Sequence, residues 1–286
     1  MRSQALSESQ VAAFRHDGFL VLPDFVDQAA CLALRERAIV LARMHVPPPD
    51  QATVFTADGR ALHAAEQYFL TSGEAIRCFF EKDAFGEDGR LRSDAHLCLN
   101  KLGHAMHDLD PVFDAFSRTA ALAAVADGIG MRDPRLLQSM YIFKQARIGG
   151  EVVCHTDHTY LWTEPASVVG FWFAIDDATT ENGCMWALPG GHRLPVKARS
   201  KLNAGRTATE LEVFDPAPYP SDGLVPLEAK RGTLVLLHGA LPHRSGPNLS
   251  DKPRHAYTLH AIDGTADYLS DNWLQRPTIP LRGFAG

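Results

Sequence analysis

The hydrophobic pattern of the first third of the chain alternates between helical and short extended periods. Ser7 and Gln10 have the spacing of a capping box ahead of VAAFRH (11–16), and Asp17-Gly18 supplies a stop. FLVLP (19–23) reads as a short strand. Asp27 can cap a second helix in which Cys31, Leu34, Ala38 and Leu41 recur at three- and four-residue steps, until Val46-Pro-Pro-Pro ends it. Residues 50–67 carry little periodicity and predict a long loop, a candidate lid. Asp110-Pro111 is a good helix start, and RTAALAAVADGIG (118–130) predicts another amphipathic helix ending at Gly128 to Gly130.

From Pro134 onward the texture changes. LLQSMYIFK (136–144), EVVCHTD (151–157), VVGFWFAID (168–176), CMWALP (184–189), TLVLLHG (233–239) and RHAYTLHAI (254–262) are strand-like runs separated by Gly, Pro and Asn turns. They lie too close together for intervening βαβ helices. The expected fold is mainly β with flanking helices: a double-stranded β-helix (a jelly roll of cupin-like type) buttressed by N-terminal helices. With no clear linker, one domain over residues 1–286 is expected, its helical buttress mostly in 1–130 and its jelly-roll core mostly in 134–265.

Composition narrows the function. A net charge of -6, with no domain-scale concentration of Lys and Arg, excludes a chain built to coat nucleic acid. No apolar run reaches the length of a membrane span, and MRSQALSESQ lacks the apolar core of a secretory signal. The cysteines, Cys31, Cys78, Cys98, Cys154 and Cys184, are scattered without a CxxC, the usage of a reducing compartment. A cytoplasmic protein acting on a small molecule is expected; the oligomeric state is not legible.

The candidate chemistry sits in CHTDHTYLW (154–162). On a strand, residues i and i+2 share a face, so His155 and Asp157 would converge. They supply two members of the 2-His-1-carboxylate set, which holds non-heme Fe(II) on one side and leaves the other open. The third ligand must come from a distant strand, with His238, His243, His255 and His260 as candidates. His243, in LPHRSG, lies where the chain emerges toward the barrel mouth, and Arg254 begins the next strand. A guanidinium there could clasp a dicarboxylate through parallel hydrogen bonds, so His243 with Arg254 makes chemical sense of both.

The sequence also resembles the phytanoyl-CoA dioxygenase family of Fe(II)/2-oxoglutarate oxygenases. The resemblance runs nearly end to end, through DGFLVL (17–22), NKLGHAMH (100–107), QSMYIFKQ (138–145), GGEV (149–152), ENGC (181–184), PGGH (189–192), LVLLHG (234–239), NLSDKPRHAYTLH (248–260) and NWLQ (272–275). It implies that His155, Asp157 and His243 bind the iron. It also implies that Arg254 and Ser245 hold the distal carboxylate of 2-oxoglutarate, with Lys101, Met140 and Trp172 lining the same pocket. Fe(II), 2-oxoglutarate and dioxygen would be required, with ascorbate a candidate stimulant. The retained Asp157 favours hydroxylation or desaturation over halogenation.

Several residues have competing readings. His158 could touch substrate, but a solvated turn residue is the simpler expectation; Cys154 is expected to face the core. The basic run Arg193, Lys197, Arg199, Lys201 and Arg206 could receive an anionic substrate, a CoA thioester included, or be a solvated face. Phe79, Phe80, Phe143, Phe171 and Phe173 read as core. His104, His107, His192, His255 and His260 read as structural. Two rival functions are a jelly roll that senses 2-oxoglutarate without turnover and a cupin-like zinc or manganese isomerase or hydrolase. Arg254 and Ser245 speak against the latter, which needs no dicarboxylate clasp.

Overall fold

The computed structural model describes residues 5–47, 52–55, 61–62, 66–88 and 90–284. A nine-stranded sheet organises the chain. Its spatial order is Phe19–Leu22, Leu234–His238, Val169–Ala174, Ala256–Asp263, Pro134–Ile142, Leu99–His104, Ile76–Phe80, Thr53–Phe55 and Ala61–Leu62. Every pairing is antiparallel except that of Thr53–Phe55 with Ile76–Phe80. A four-stranded antiparallel sheet, ordered Val225–Leu227, Met185–Ala187, His243–Ser245 and Val152–His155, faces its inner side. This is the expected jelly roll.

Period-2 alternation assigns each face of the large sheet. Phe171, Phe173, Leu234, Leu236, Tyr257 and Leu259 join one core cluster with Leu34, Leu41, Phe113 and Val125 from the helices. The intervening residues Trp172, Ala174, Val235 and Leu237 join a second cluster with Met185, Ala187 and Leu227 of the small sheet. Helices therefore cover the outer face, and the site lies between the sheets.

Local signals decided the helices. Ser7 accepts from Gln10 N in a reciprocal capping box and Gly18 closes the helix Glu8–Asp17 at φ 81°. Asp27 accepts from Ala30 N at the start of Gln28–Met44, and Asp110 accepts from Val112 and Phe113 N ahead of Pro111–Ser117. The last expected helix spans Ala120–Gly128. No described helix is long and apolar enough to cross a membrane.

The helical N-terminal portion carries two strands beyond the expected Phe19–Leu22, since Ile76–Phe80 and Leu99–His104 extend the main sheet. One expectation needs correction. The long loop at 50–67 contains the strands Thr53–Phe55 and Ala61–Leu62, and the helix Glu66–Leu70 begins within it. Residues 50, 51, 56–60 and 63–65 lie outside the described residues, and with them the idea of a lid.

The C-terminal segment returns over the barrel and is held by a buried carboxylate. Asp108 accepts from Arg118 Nη2 at 2.6 Å, from Arg282 Nη2 at 2.9 Å and from Arg276 Nη2, while His107 Nε2 stands 3.1 Å away. The Asp108, Arg118 and Arg276 side chains are only 2%, 4% and 3% exposed, so none can turn to water for compensation. Asp108→Ala should therefore cost about 3–5 kcal/mol in urea unfolding; a loss below about 1 kcal/mol would show that the arginines find other partners.

Candidate metal centre and its cavity

The site begins with a pairing between distant strands: His243 stands opposite His155 across the antiparallel pair, with a register shift between His243 and Ser245. Each imidazole is aimed by its own backbone. His155 Nδ1 donates to Val153 O and His243 Nδ1 donates to Leu241 O, both at 2.9 Å. A carbonyl can only accept, so both rings carry the proton on Nδ1 and present the Nε2 lone pair. Both Nε2 atoms lie 3.8 Å from Asp157 Oδ1, and the ring centroids are 4.4 Å apart. Among the described residues this trio is the one cluster of His, Cys and acidic side chains arranged to hold a metal ion, its donor atoms within 4.8 Å of one another.

Asp157 reaches this point differently from the expectation. The strand stops at His155, Thr156 remains extended (φ -120°, ψ 141°), and Asp157 opens a 3-10 turn. The extended residue preserves the two-residue convergence. The other carboxylate oxygen, Oδ2, meets the large sheet, where Gly170, His260 and Gln138 form one cross-strand row. His260 Nε2 lies 3.2 Å from Oδ2, and a Cβ at Gly170 would lie at the same distance from it. Gln138 Nε2 donates to His260 Nδ1 at 3.0 Å, which leaves the His260 proton on the nitrogen facing Asp157. His260, expected as a structural histidine, thus orients the carboxylate.

Electrostatics suit a cation ligand set. Burial opposes ionisation of Asp157, but the surrounding imidazoles of His260, His243 and His155 outweigh it and hold the carboxyl well below the usual carboxylate range. Burial, and then His243, pushes His155 down to about 4. At neutral pH Asp157 is therefore an anionic donor and His155 a neutral one, and neither has a proton to release.

A cavity of about 390 Å³ opens beside the trio. Its floor is the next row of the large sheet, Trp172, Thr258 and Met140. Beyond that row lies the fully buried Arg254, whose guanidinium carbon sits 5.5 Å from the Trp172 ring centroid. Arg254 Nη2 donates to Gly183 O at 3.0 Å, whereas Nε and Nη1 are buried without a partner. Ser245 Oγ stands 3.4 Å from Nη2. Lys101 lines the same cavity, its Nζ 3.6 Å from Met140 Sδ, and burial lowers it to about 7. All eight residues singled out from the sequence therefore surround one cavity.

The far wall was not anticipated. Phe69 and Trp273 stack at 4.2 Å, and His104 packs edge-on to both. His104 Nδ1 bonds Ser72 Oγ, and His107 Nδ1 bonds Ser139 Oγ, so both serve the framework as expected. Lys144 and Glu81 also line the cavity and were missed. The available signals were weak: a lysine ending an apolar strand, and a lone tryptophan in the polar stretch SDNWLQRP (270–277).

Three side readings change. His158 is no solvated turn residue: it is 3% exposed and stacked on Trp162 at 4.2 Å. Cys154 is half-buried and belongs to no core cluster. The basic run is committed to protein partners. Lys197 pairs with Asp215, Arg199 with Asp271 and Lys201 with Glu212, while Arg193 and Arg206 donate to the carbonyls of His16 and Ser270. None of the five lines the cavity.

The family described as phytanoyl-CoA dioxygenase (PhyH) matches residues 14–256. The phytanoyl-CoA dioxygenase domain-containing protein 1 of Bos taurus is 40% identical over 283 residues, covering 96% of this chain and 97% of its own. Among solved structures, EctD from S. alaskensis with 2-oxoglutarate and 5-hydroxyectoine matches at TM-score 0.65 and 19% identity, over 100% of this chain and 89% of that one. The epimerase SnoN in complex with Fe3+, alpha ketoglutarate and nogalamycin RO matches at TM-score 0.62 and 18% identity, over 97% and 94%.

The contact at Gly170 gives a direct test. Gly170→Ala would press a methyl against Asp157 Oδ2 and should lower the affinity for Mn(II), titrated calorimetrically, by roughly 10–100-fold. Unchanged affinity would mean that the carboxylate is not held by this row.

Proposed function

The chain belongs to the phytanoyl-CoA dioxygenase family, and on that premise we propose that it is an Fe(II)- and 2-oxoglutarate-dependent dioxygenase. It couples decarboxylation of 2-oxoglutarate, to succinate and carbon dioxide, with hydroxylation or related C–H oxidation of a small or medium organic molecule. One observation carries this reading. Two imidazole nitrogens and a carboxylate oxygen converge at one end of a cavity whose other end holds a buried guanidinium edge with no protein acceptor. A metal trio alone would suit many cupin-like reactions. An unmatched guanidinium at the far end calls for an anion, and a dicarboxylate that also reaches the trio satisfies both.

His155, Asp157 and His243 would hold the iron, leaving its cavity side open. The bound iron would supply activation of dioxygen, using electrons released by the oxo acid. The remaining work belongs to the protein. Arg254 and Ser245 clasp the distal carboxylate, Trp172 and Met140 form the floor along which the acid lies, and Lys101 adds a second positive charge within the cavity. The Phe69–Trp273 stack gives the cavity an apolar wall against which an organic substrate can lie. The basic run does not reach the cavity, so a CoA polyphosphate gains nothing from it, and the aromatic wall offers the substrate an apolar surface. The chain acts as a single catalytic unit, and its free cysteines support a cytoplasmic assignment. Ascorbate would act only by keeping the iron ferrous.

Mixing the protein anaerobically with Fe(II) and 2-oxoglutarate should produce a visible charge-transfer band, lost in Asp157→Ala. Admitting oxygen should then form succinate, slowly even without substrate. A band with no succinate across a broad substrate panel would replace this reading with a 2-oxoglutarate sensor; absence of the band would end both.

A further inference from the structure

Beside Arg254 lies a second buried cation with no role in the reading above. Lys144 follows the strand Pro134–Ile142, lines the cavity and is 2% exposed. Its backbone adopts φ 39°, and its carbonyl accepts from Arg254 N at 3.1 Å and Asn248 Nδ2 at 2.9 Å. That conformation fixes Lys144 and Arg254 next to each other. The Lys144 tail lies against Gly183, where a Cβ would come within 2.6 Å of Cε. Its Nζ donates to Gly150 O at 2.6 Å and to Ser245 Oγ at 2.7 Å. An ammonium has three protons, so one donor remains.

Two cations are thus buried side by side on the same serine. Among the described residues, no carboxylate comes within ion-pair distance of either. Glu81 lines the cavity nearby and accepts from Gly150 N at 3.2 Å, but burial pushes its carboxyl up, toward the neutral form. Holding both of them charged is costly unless an anion joins them.

We propose that Lys144 is a second anchor for the distal carboxylate of the co-substrate, acting with Arg254 across Ser245 and selecting a dicarboxylic over a monocarboxylic 2-oxo acid. The proposal rests on the 2-oxoglutarate reading of the cavity and extends it to a residue outside the recognised set. It also has a consequence in protons. Burial, and then Arg254, lowers Lys144 to about 7, with Glu81, Glu151 and Cys184 facing it as opposing influences. In the empty pocket at pH 8 the amine is therefore mostly neutral. A carboxylate seated against it favours the ammonium, so binding takes up a proton at pH 8 and takes up little at pH 6, where the group is already charged.

The test is calorimetry on the Mn(II)-loaded protein with 2-oxoglutarate and with 2-oxopentanoate, in buffers of unlike ionisation enthalpy. Lys144→Met should weaken 2-oxoglutarate by about 30-fold and leave 2-oxopentanoate within about 2-fold. Lys144→Arg should retain most of the affinity for 2-oxoglutarate yet reduce the proton uptake seen in the wild type at pH 8, leaving only the share of Lys101, which burial also lowers to about 7. Equal weakening of both acids by Lys144→Met would assign the lysine a structural role and overturn the proposal, as would equal uptake by Lys144→Arg. If Lys144→Met does not fold, the arginine variant decides alone. A wild-type protein that binds neither acid would instead remove the 2-oxoglutarate reading itself.

Discussion

The candidate site depends on the antiparallel pairing that sets His243 opposite His155. Neither histidine is near the other in sequence, and a slip of either strand by one residue would turn its histidine away from the cavity, because a slip reverses every side chain of that strand. The pairing leaves little to chance. Both imidazoles are tied through Nδ1 to the carbonyl two residues upstream, so the backbone that brings the strands together also chooses the tautomer and aims the lone pairs. Asp157 then needs only one extended residue, Thr156, to complete the set.

The large sheet turns that constraint into a graded cavity floor. Because its inner face presents every second residue, successive rows carry distinct tasks. Gly170, His260 and Gln138 receive the Asp157 carboxylate; Trp172, Thr258 and Met140 form the next row; and Arg254 and Lys144 lie beyond. Polarity changes sign along this path. The carboxylate of Asp157 is surrounded by imidazoles, while the two cations at the other end lack a carboxylate. A ligand able to neutralise the far end and donate oxygens to the near end is longer than a simple anion and carries charge at both ends. That requirement of length and charge is the same whichever metal the trio prefers.

How much of this could be read in the sequence follows from the range of each interaction. Ser7 with Gln10, Asp27 with Ala30 and Asp110 with Phe113 act within three residues, so their helices were legible. His155 and Asp157 share a local pattern and were legible too. The choice of His243 from four histidines needed Arg254 as its companion, and the resemblance to a family then named the remaining contacts. Strands Ile76–Phe80 and Leu99–His104 escaped notice because each is short and lies in an N-terminal portion otherwise patterned as helix, while the pairing of Leu99–His104 with Pro134–Ile142 forms only on folding. Lys144 was missed because its meaning comes from Gly150, Gly183 and Ser245, which meet it only after folding.

The same distinction bears on the substrate. The basic run at 193–206 was attractive because it was contiguous, yet folding assigns its charges to Asp215, Asp271, Glu212 and two carbonyls. The wall that does face the cavity is assembled from Phe69, His104 and Trp273, which are scattered in the chain and held by hydrogen bonds that secure the C-terminal segment. Glu74 accepts from the backbone amides of Thr278 and Ile279, and Asp108 binds Arg276. An aromatic surface secured from two sides offers the cavity shape and apolar area rather than charge.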